Sequence, residues 1–412
     1  MSLRATERDP LVPLAIGSLM LVSSGSLVFT LLAELQDRAG FSAWGLGAIA
    51  FSYFAASLFS QIGLARFADR GHARTLLVVG VVLAMAALAW FAIAESLVPL
   101  LLARAIGGLG FGCWEPASKA VVLAGREKDA GRRLGIMTAA STGGIVFGPV
   151  IGALIFEATN SLVVPFVLFA ALLVPVLAIA WFVPIGETTG RGVSSEKLAT
   201  KPSHLLRRRP VQRAVLIAIA LLMPVGAYEV IWARLLTDLG ASTGFIGLSV
   251  AVYGLPFLLV APIGGVLGDR IGVERVSGVG AIVVSGVILL MGLTRNVYLL
   301  LGVGVLEAIV NAIAIPNAYA SMAKACSNDE QATGQGLIGG VGLASAGLLT
   351  LLAGGLYSMG GQVLVFSATA GLVLGFALLA QVLDRARPGG SAARGVGAFD
   401  AEGVVDESQL QP

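Results

Sequence analysis

Uncharged apolar runs of about 20 residues recur along the chain from Leu11 to Leu383, separated by short polar breaks. A hydrocarbon core about 30 Å thick is crossed by roughly that length of helix. The pattern predicts spanning helices at 11–33, 44–64, 75–95, 98–124, 134–157 and 162–185, then at 213–236, 244–267, 276–294, 298–323, 332–357 and 361–383. The fold expected is therefore all-α and polytopic, with about twelve transmembrane helices in two six-helix halves, 11–185 and 213–383. Residues 1–10 read as a cytoplasmic N-terminus. The polar stretch 186–212, with Ser194, Ser195, Glu196, Arg207, Arg208 and Arg209, reads as a cytoplasmic linker. The tail 384–412, rich in Gly, Ala and charge and without helical periodicity, reads as a disordered cytoplasmic segment. The first run follows Arg4 and Arg8 but is too long for a signal-peptide core and lacks a small-residue cleavage site, so it is expected to persist as the first span.

Composition agrees with a lipid-solvated chain: 57% of residues are hydrophobic and 12% charged, against about 25% charged in soluble domains. Of the 27 Lys and Arg, 22 fall at the termini and even-to-odd connections, three lie at the opposite ends (Arg38, Arg234, Arg295) and two lie within the fourth span. Basic loops stay cytoplasmic, so both termini are expected inside, in a plasma membrane of the bacterial inner-membrane type. The net charge of +3 is scattered between spans and forms no basic domain, which argues against a nucleic-acid partner. Cys113 and Cys326 sit in or at the end of apolar runs, as small buried side chains rather than disulfide or metal ligands. There is no GxxxxGK loop, no HExxH and no His cluster, His72 and His204 being the two histidines of the chain. Neither an enzyme nor a cofactor or metal is expected, and an ion gradient, taken as the proton gradient, is the energy source. The partners expected are a small-molecule substrate and membrane lipid, with the chain acting as a monomer.

Two features recur 200 residues apart: Asp69-Arg70 with Asp269-Arg270, and Pro116 with Pro316. Parallel repeats of this kind place a solute site between the halves near the midplane. After the eighth span, Gly265, Leu267, Asp269, Arg270, Gly272 and Arg275 form GVLGDRIGVER, which resembles the GxLxDRxGxxR loop of the major facilitator superfamily. The cognate ARFADRGHAR keeps Asp69, Arg70 and Arg74 but has Ala65 and His72 at the glycine positions. The resemblance implies cytoplasmic gating by Asp69, Arg70, Asp269 and Arg270; a plain turn with topogenic charges would explain the arginines but not the Asp and Gly spacing. In the fifth span, Gly135, Gly144, Gly148, Pro149 and Gly152 match Gx8Gx3GPx2G, with Ala153 where a last glycine is common. That pattern resembles the twelve-span drug/proton antiporter group. Glycines four apart also leave a bare helix face, so a packing surface unrelated to transport direction is the alternative.

Charges inside a span cost roughly 2.5 to 3.5 kcal/mol each on insertion scales, which singles out Arg104, Glu115 and Lys119 in the fourth span. At 100° per residue, Arg104, Gly108, Phe111, Glu115 and Ser118 share a stripe, with Lys119 one turn from Glu115. One face would then present basic, acidic and basic groups to a cavity. Arg104 with Gly107 and Gly108 also resembles the family's fourth-span arginine motif, linked there to proton coupling. A structural Glu115 and Lys119 pair is the alternative, with Lys119 snorkelling. Glu115 is the first choice for the proton carrier, with Glu229 and Glu307 in reserve. Glu307 and Asn311 lie one turn apart in the tenth span, and Tyr228, Glu229 and Trp232 cluster in the seventh, where the aromatics offer stacking surfaces to an aromatic or cationic solute. Trp232, beside Arg234, can equally be an interfacial belt residue. Glu34 is expected in a loop at the outer end of the first span.

The function expected is a secondary active transporter, exporting a small organic compound in exchange for protons by alternating access. A proton-coupled uptake symporter of the same fold is the nearest rival. A non-transporting membrane receptor or assembly factor, or an enzyme acting on lipid-embedded substrates, is the rival of another class. The intramembrane charges favour transport over a scaffold.

Overall fold

The computed structural model describes residues 9–67, 72–123, 130–184, 202–327 and 330–385, and every regular element among them is helical. Ten apolar helices are long enough to cross a membrane. The last of these, Gly334–Leu383, contains two crossings, because the chain reverses at Gly360 and Gly361. Gly361, at φ 59, takes a left-handed conformation that suits glycine. The remaining crossing is Thr243–Leu259 continued by Ala261–Ile271, interrupted where Pro262 withholds a backbone donor. The chain is thus a twelve-span, all-α bundle.

The expected and observed bounds differ most at the two spans that open the halves. The first runs as Leu11–Ser26 and Val28–Ala39, six residues beyond its apolar run. Glu34 is therefore helical rather than in a loop, and it accepts a 2.8 Å hydrogen bond from Thr243. The seventh begins four residues early, as Arg209–Leu222 and Pro224–Asp238, so the end of the expected linker is helix, preceded by the short helix Pro202–Leu205. Gly40 and Gly240, 200 residues apart, close these spans in left-handed conformations, at φ 66 and 84. Residue 185 at the end of the sixth span, linker residues 186–201, Asp69, Arg70 and the tail from 386 lie outside the described residues.

The end of the bundle where Leu11 begins also carries Arg74, Arg133, Arg208, Arg213, Arg270 and Arg275, and is called here the basic end. At the far end the two halves touch closely. Gly47 meets the carbonyl of Thr350 and Gly354 that of Ala43, joining spans two and eleven; Gly247 meets Ala153 and Pro149, joining spans five and eight. Arg234 pairs with Asp37, and the backbone N–H of Gly244 donates to Glu157 at 2.7 Å. Toward the basic end of three of these spans, five, eight and eleven, Gly135, Gly265, Gly336 and Gly340 have no neighbour within 4 Å. Three spans that touch the other half at the far end and stand clear at these glycines toward the basic end describe two halves hinged shut at the far end and open at the basic end.

Candidate transport site

The fifth span is held against the first by its small residues. Gly144 lies against Leu19, Val22 and Ser23 of the first span, Gly148 against Ser23 and Ser26, and Gly152 against Leu27. Two hydroxyls seal the approach, Ser26 donating to the carbonyl of Gly144 at 2.9 Å and Thr30 to that of Pro149 at 3.2 Å. The glycine stripe is a packing face in this conformation, and Gly135 stands outside it.

A cavity of about 150 Å³ opens between spans one, five, seven and eight, walled by Ser26 and Phe29 from the first half and by Tyr228, Glu229, Trp232 and Tyr253 from the second. Glu229 meets Arg104, which is 5% exposed and also donates to the carbonyl of Gly25 at 2.7 Å, next to the junction in the first span. The guanidinium stacks on the ring of Tyr53, 4.3 Å from its centroid. This ion pair joins the fourth span of one half to the seventh of the other. A small space of about 20 Å³ flanks it on the first-half side, against Tyr53, Arg104 and Gly107.

Behind the second-half wall lies a polar nest. Glu307 is fully buried and accepts hydrogen bonds from Tyr253 at 2.6 Å, Tyr228 at 3.2 Å and Asn311 at 2.6 Å. Trp232, on the same side, is 6% exposed and donates to Ser249 at 2.8 Å. It is a wall residue of the cavity and not an interfacial belt residue. Sequence reasoning named Tyr228, Glu307 and Asn311, and missed Tyr253; the one available signal was the Tyr53 that stands 200 residues before it.

The charges of the fourth-span stripe take different partners. Arg104 turns to Glu229, while Glu115 pairs with Lys119 on its own helix at 2.6 Å. At the basic end, Gly272 has φ 104, so the turn between spans eight and nine requires glycine there. His72, at the matching place, has φ −92 and needs none, which accounts for the departure of the first loop from the motif at that position. Asp269, Arg270 and Arg275 are exposed, and no ion pair joins Asp269 or Arg270 to another described residue. Arg74 donates to the carbonyl of Val183 at 3.1 Å.

Two helical halves around a solute-sized cavity, closed at one end and open at the other, define a membrane carrier. The chain belongs to the Major Facilitator Superfamily, whose family model matches residues 14–234 and 223–401. Compared by sequence with curated proteins, the chain has no match. Among solved structures, the nucleoside transporter NupG is similar at a TM-score of 0.75 and 15% identity, over 92% of this chain and 100% of that one. A bacterial homolog to the human lysosomal transporter Spinster, inward-facing and unoccupied, is similar at a TM-score of 0.76 and 16% identity, over 93% of this chain and 98% of that one. At such identities these likenesses establish the fold. The protein is a multi-pass membrane protein of a transporter family, with a small molecule as its substrate.

Proposed function

We propose that the protein exports a small organic solute in exchange for protons, across a membrane of the bacterial inner type, with its basic end and both termini in the cytoplasm. The observation that carries this reading is the Arg104 to Glu229 ion pair, which ties the halves together at the wall of a cavity open toward the basic end. A desolvated ion pair is costly to separate, by about 3 to 5 kcal/mol when one partner is removed. It therefore holds the empty, deprotonated carrier closed at the far end. A proton on Glu229 cancels its charge, and a solute at Glu229 competes for it, so either ligand releases the halves and the empty form does not cycle. Exchange rather than slip follows from that competition. The sequence puts Glu115 first as carrier; the geometry favours Glu229, whose partner belongs to the other half. Opening at the far end would bring the basic ends of the halves together, and gating contacts there are assigned to Asp269 and Arg270 from the loop motif.

Everted membrane vesicles, acidified inside by respiration, provide the test. Adding a transported solute should dissipate the pH gradient in vesicles carrying the protein. Glu229→Gln should lose that response while still exchanging labelled solute without a gradient. Gradient-driven exchange that survives Glu229→Gln unchanged overturns the assignment, and solute accumulation in the same direction as protons makes the protein a symporter.

A further inference from the structure

The eighth span does two jobs on the two sides of its break. Thr243–Leu259 sets Tyr253 in the cavity wall and lays Gly247 and Gly254 on Pro149, Ala153 and Val146 of the fifth span. Ala261–Ile271, beyond the break at Val260, carries Asp269 and Arg270. A segment that follows a proline interruption is not kept in line by its own helix. Its place has to come from a neighbour, and that neighbour is the tenth span. Above the break, Tyr253 donates to Glu307 of that span. Below it, Gly264 lies on the backbone of Ala312 and Ile313, and Gly268 lies on Asn317, where a Cβ would collide with Oδ1.

Asn317 is 1% exposed, and its Nδ2 donates to the carbonyl of Gly264 and to that of Ile313, one on each helix, both at 2.8 Å. The amide has two donor hydrogens, and this one contact uses both. The first half lacks the arrangement in its sequence: 200 residues earlier stand Ala68 and Ala117, a methyl where the second half has none and no amide where it has one. The half with the complete GVLGDRIGVER loop is the half with the clamp. Asp269 and Arg270 form no ion pair among the described residues, so the docking of their backbone segment on the tenth span is what places them. We propose that Asn317 is the positioning residue of the basic-end gate: its amide fixes Ala261–Ile271 to the tenth span, so that Asp269 and Arg270 travel with the second half and arrive in register when the basic ends meet. This rests on the gate assignment made above and not on the identity of the solute.

Spin-label distances in the purified full chain in nanodiscs, with Cys113 and Cys326 replaced by serine, provide the test. Labels at Ile271→Cys and Met359→Cys measure the segment against the far end of its own half. Labels at Lys324→Cys and Met359→Cys measure the end of the tenth span against the same point, and labels at Thr75→Cys and Ile271→Cys span the opening between the halves; all four sites are exposed. Asn317→Leu keeps bulk beside Gly268 and has no donor, and Asn317→Ala installs the residue of the first half. Both should turn a single distance from Ile271 to Met359 into a broad distribution and leave that from Lys324 to Met359 as it was, which also reports an intact fold. A distance from Ile271 that stays single in Asn317→Leu overturns the proposal. So does broadening of both distances together, since Asn317 would then support the whole half and not the segment. Glu229→Gln, which removes the charge from the pair between the halves, should bring the basic ends together and shorten the distance from Thr75 to Ile271; adding Asn317→Leu should lose the short distance, and its survival overturns the positioning role. If Glu229→Gln shortens nothing, or adding Asp269→Asn leaves the short distance intact, the exchange or the gate reading fails instead, while the two distances within the second half still decide the clamp.

Discussion

Tyr53 and Tyr253 occupy matching places in the second helix of each half, and they serve opposite kinds of side chain, an arginine and a glutamic acid. In the first half the Tyr53 ring supports the guanidinium of Arg104, whose charge is then delivered across the interface to Glu229. In the second half the Tyr253 hydroxyl donates to the Glu307 carboxyl, which stays inside its own half and, among the described residues, is bonded by Tyr228, Tyr253 and Asn311 and by no cation. One half turns its buried ionisable side chain across to its partner, and the other keeps its own inside. The same inversion appears at the basic end. Before the first span, Asp9 pairs with Arg133 at the start of the fifth span; before the seventh, Arg208 pairs with Glu330 at the start of the eleventh. A duplicated scaffold has kept the places of these interactions and exchanged their signs, so the repeat fixes where polar groups can be tolerated and not what they do.

The largest effect expected from breaking this contrast comes from removing the two tyrosine hydroxyls separately. Tyr253→Phe leaves a fully buried carboxylate short of a donor and should lower stability by about 1 to 3 kcal/mol. Tyr53→Phe keeps the ring under Arg104 and should cost less than about 0.5 kcal/mol, since exchanging a hydroxyl that is not used is close to neutral. Thermal unfolding in detergent of the two variants side by side measures the difference. Equal losses would mean that the hydroxyl of Tyr53 matters as much as that of Tyr253, and that the halves are not distinguished in this way.

How far the sequence reaches depends on whether a property belongs to one helix or to the meeting of two. The spans are legible because an apolar run is local. So are Gly272, which its motif marks and its positive φ explains, and the glycine face at Gly144, Gly148 and Gly152. Glu34 was misplaced because the apolar run stops at Ala33 while the helix continues to Ala39, held by a polar contact with the other half. Trp232 was ambiguous because Arg234 close by suggests a membrane interface; helical phase turns Trp232 inward toward Ser249 and Arg234 toward Asp37. Arg104 and Glu229 were each singled out, but their pairing crosses the halves, and no spacing in one chain encodes which faces meet.

A smaller effect is expected at the basic end, on acid. The hydrogen bonds from Arg208, with the backbone N–H and side chain of Ser327, hold the Glu330 carboxyl down to about 2 from its usual 4.5. A depressed carboxyl stabilises the fold above its ordinary value and ceases to do so as pH falls from about 4.5 to about 2. Unfolding temperature should therefore decline through that window in the wild type. Arg208→Gln should flatten that part of the decline, and Asp9→Asn should change it less, because the side chain of Asp9 is 46% exposed. An Arg208→Gln profile that overlays the wild type would remove the second-half tie as a contributor.

The smallest effect is expected at the residue that the sequence makes most conspicuous. A coupling carboxylate must change its surroundings when the halves rock. The partner of Glu115 is Lys119, one turn away on the same helix and 36% exposed, so the two move together and their 2.6 Å contact is unchanged by rocking. Arg104 and Glu229 lie on opposite halves, and the motion that opens the far end pulls them apart. Glu115→Gln removes one ion pair within a single helix and should leave gradient-driven exchange within about threefold of the wild type, under 1 kcal/mol of barrier. Under the same conditions Glu229→Gln should lose it. If Glu115→Gln instead abolishes gradient-driven exchange and spares exchange without a gradient, the proton travels on Glu115, and the pair between the halves is a latch that holds the far end closed without sensing protons.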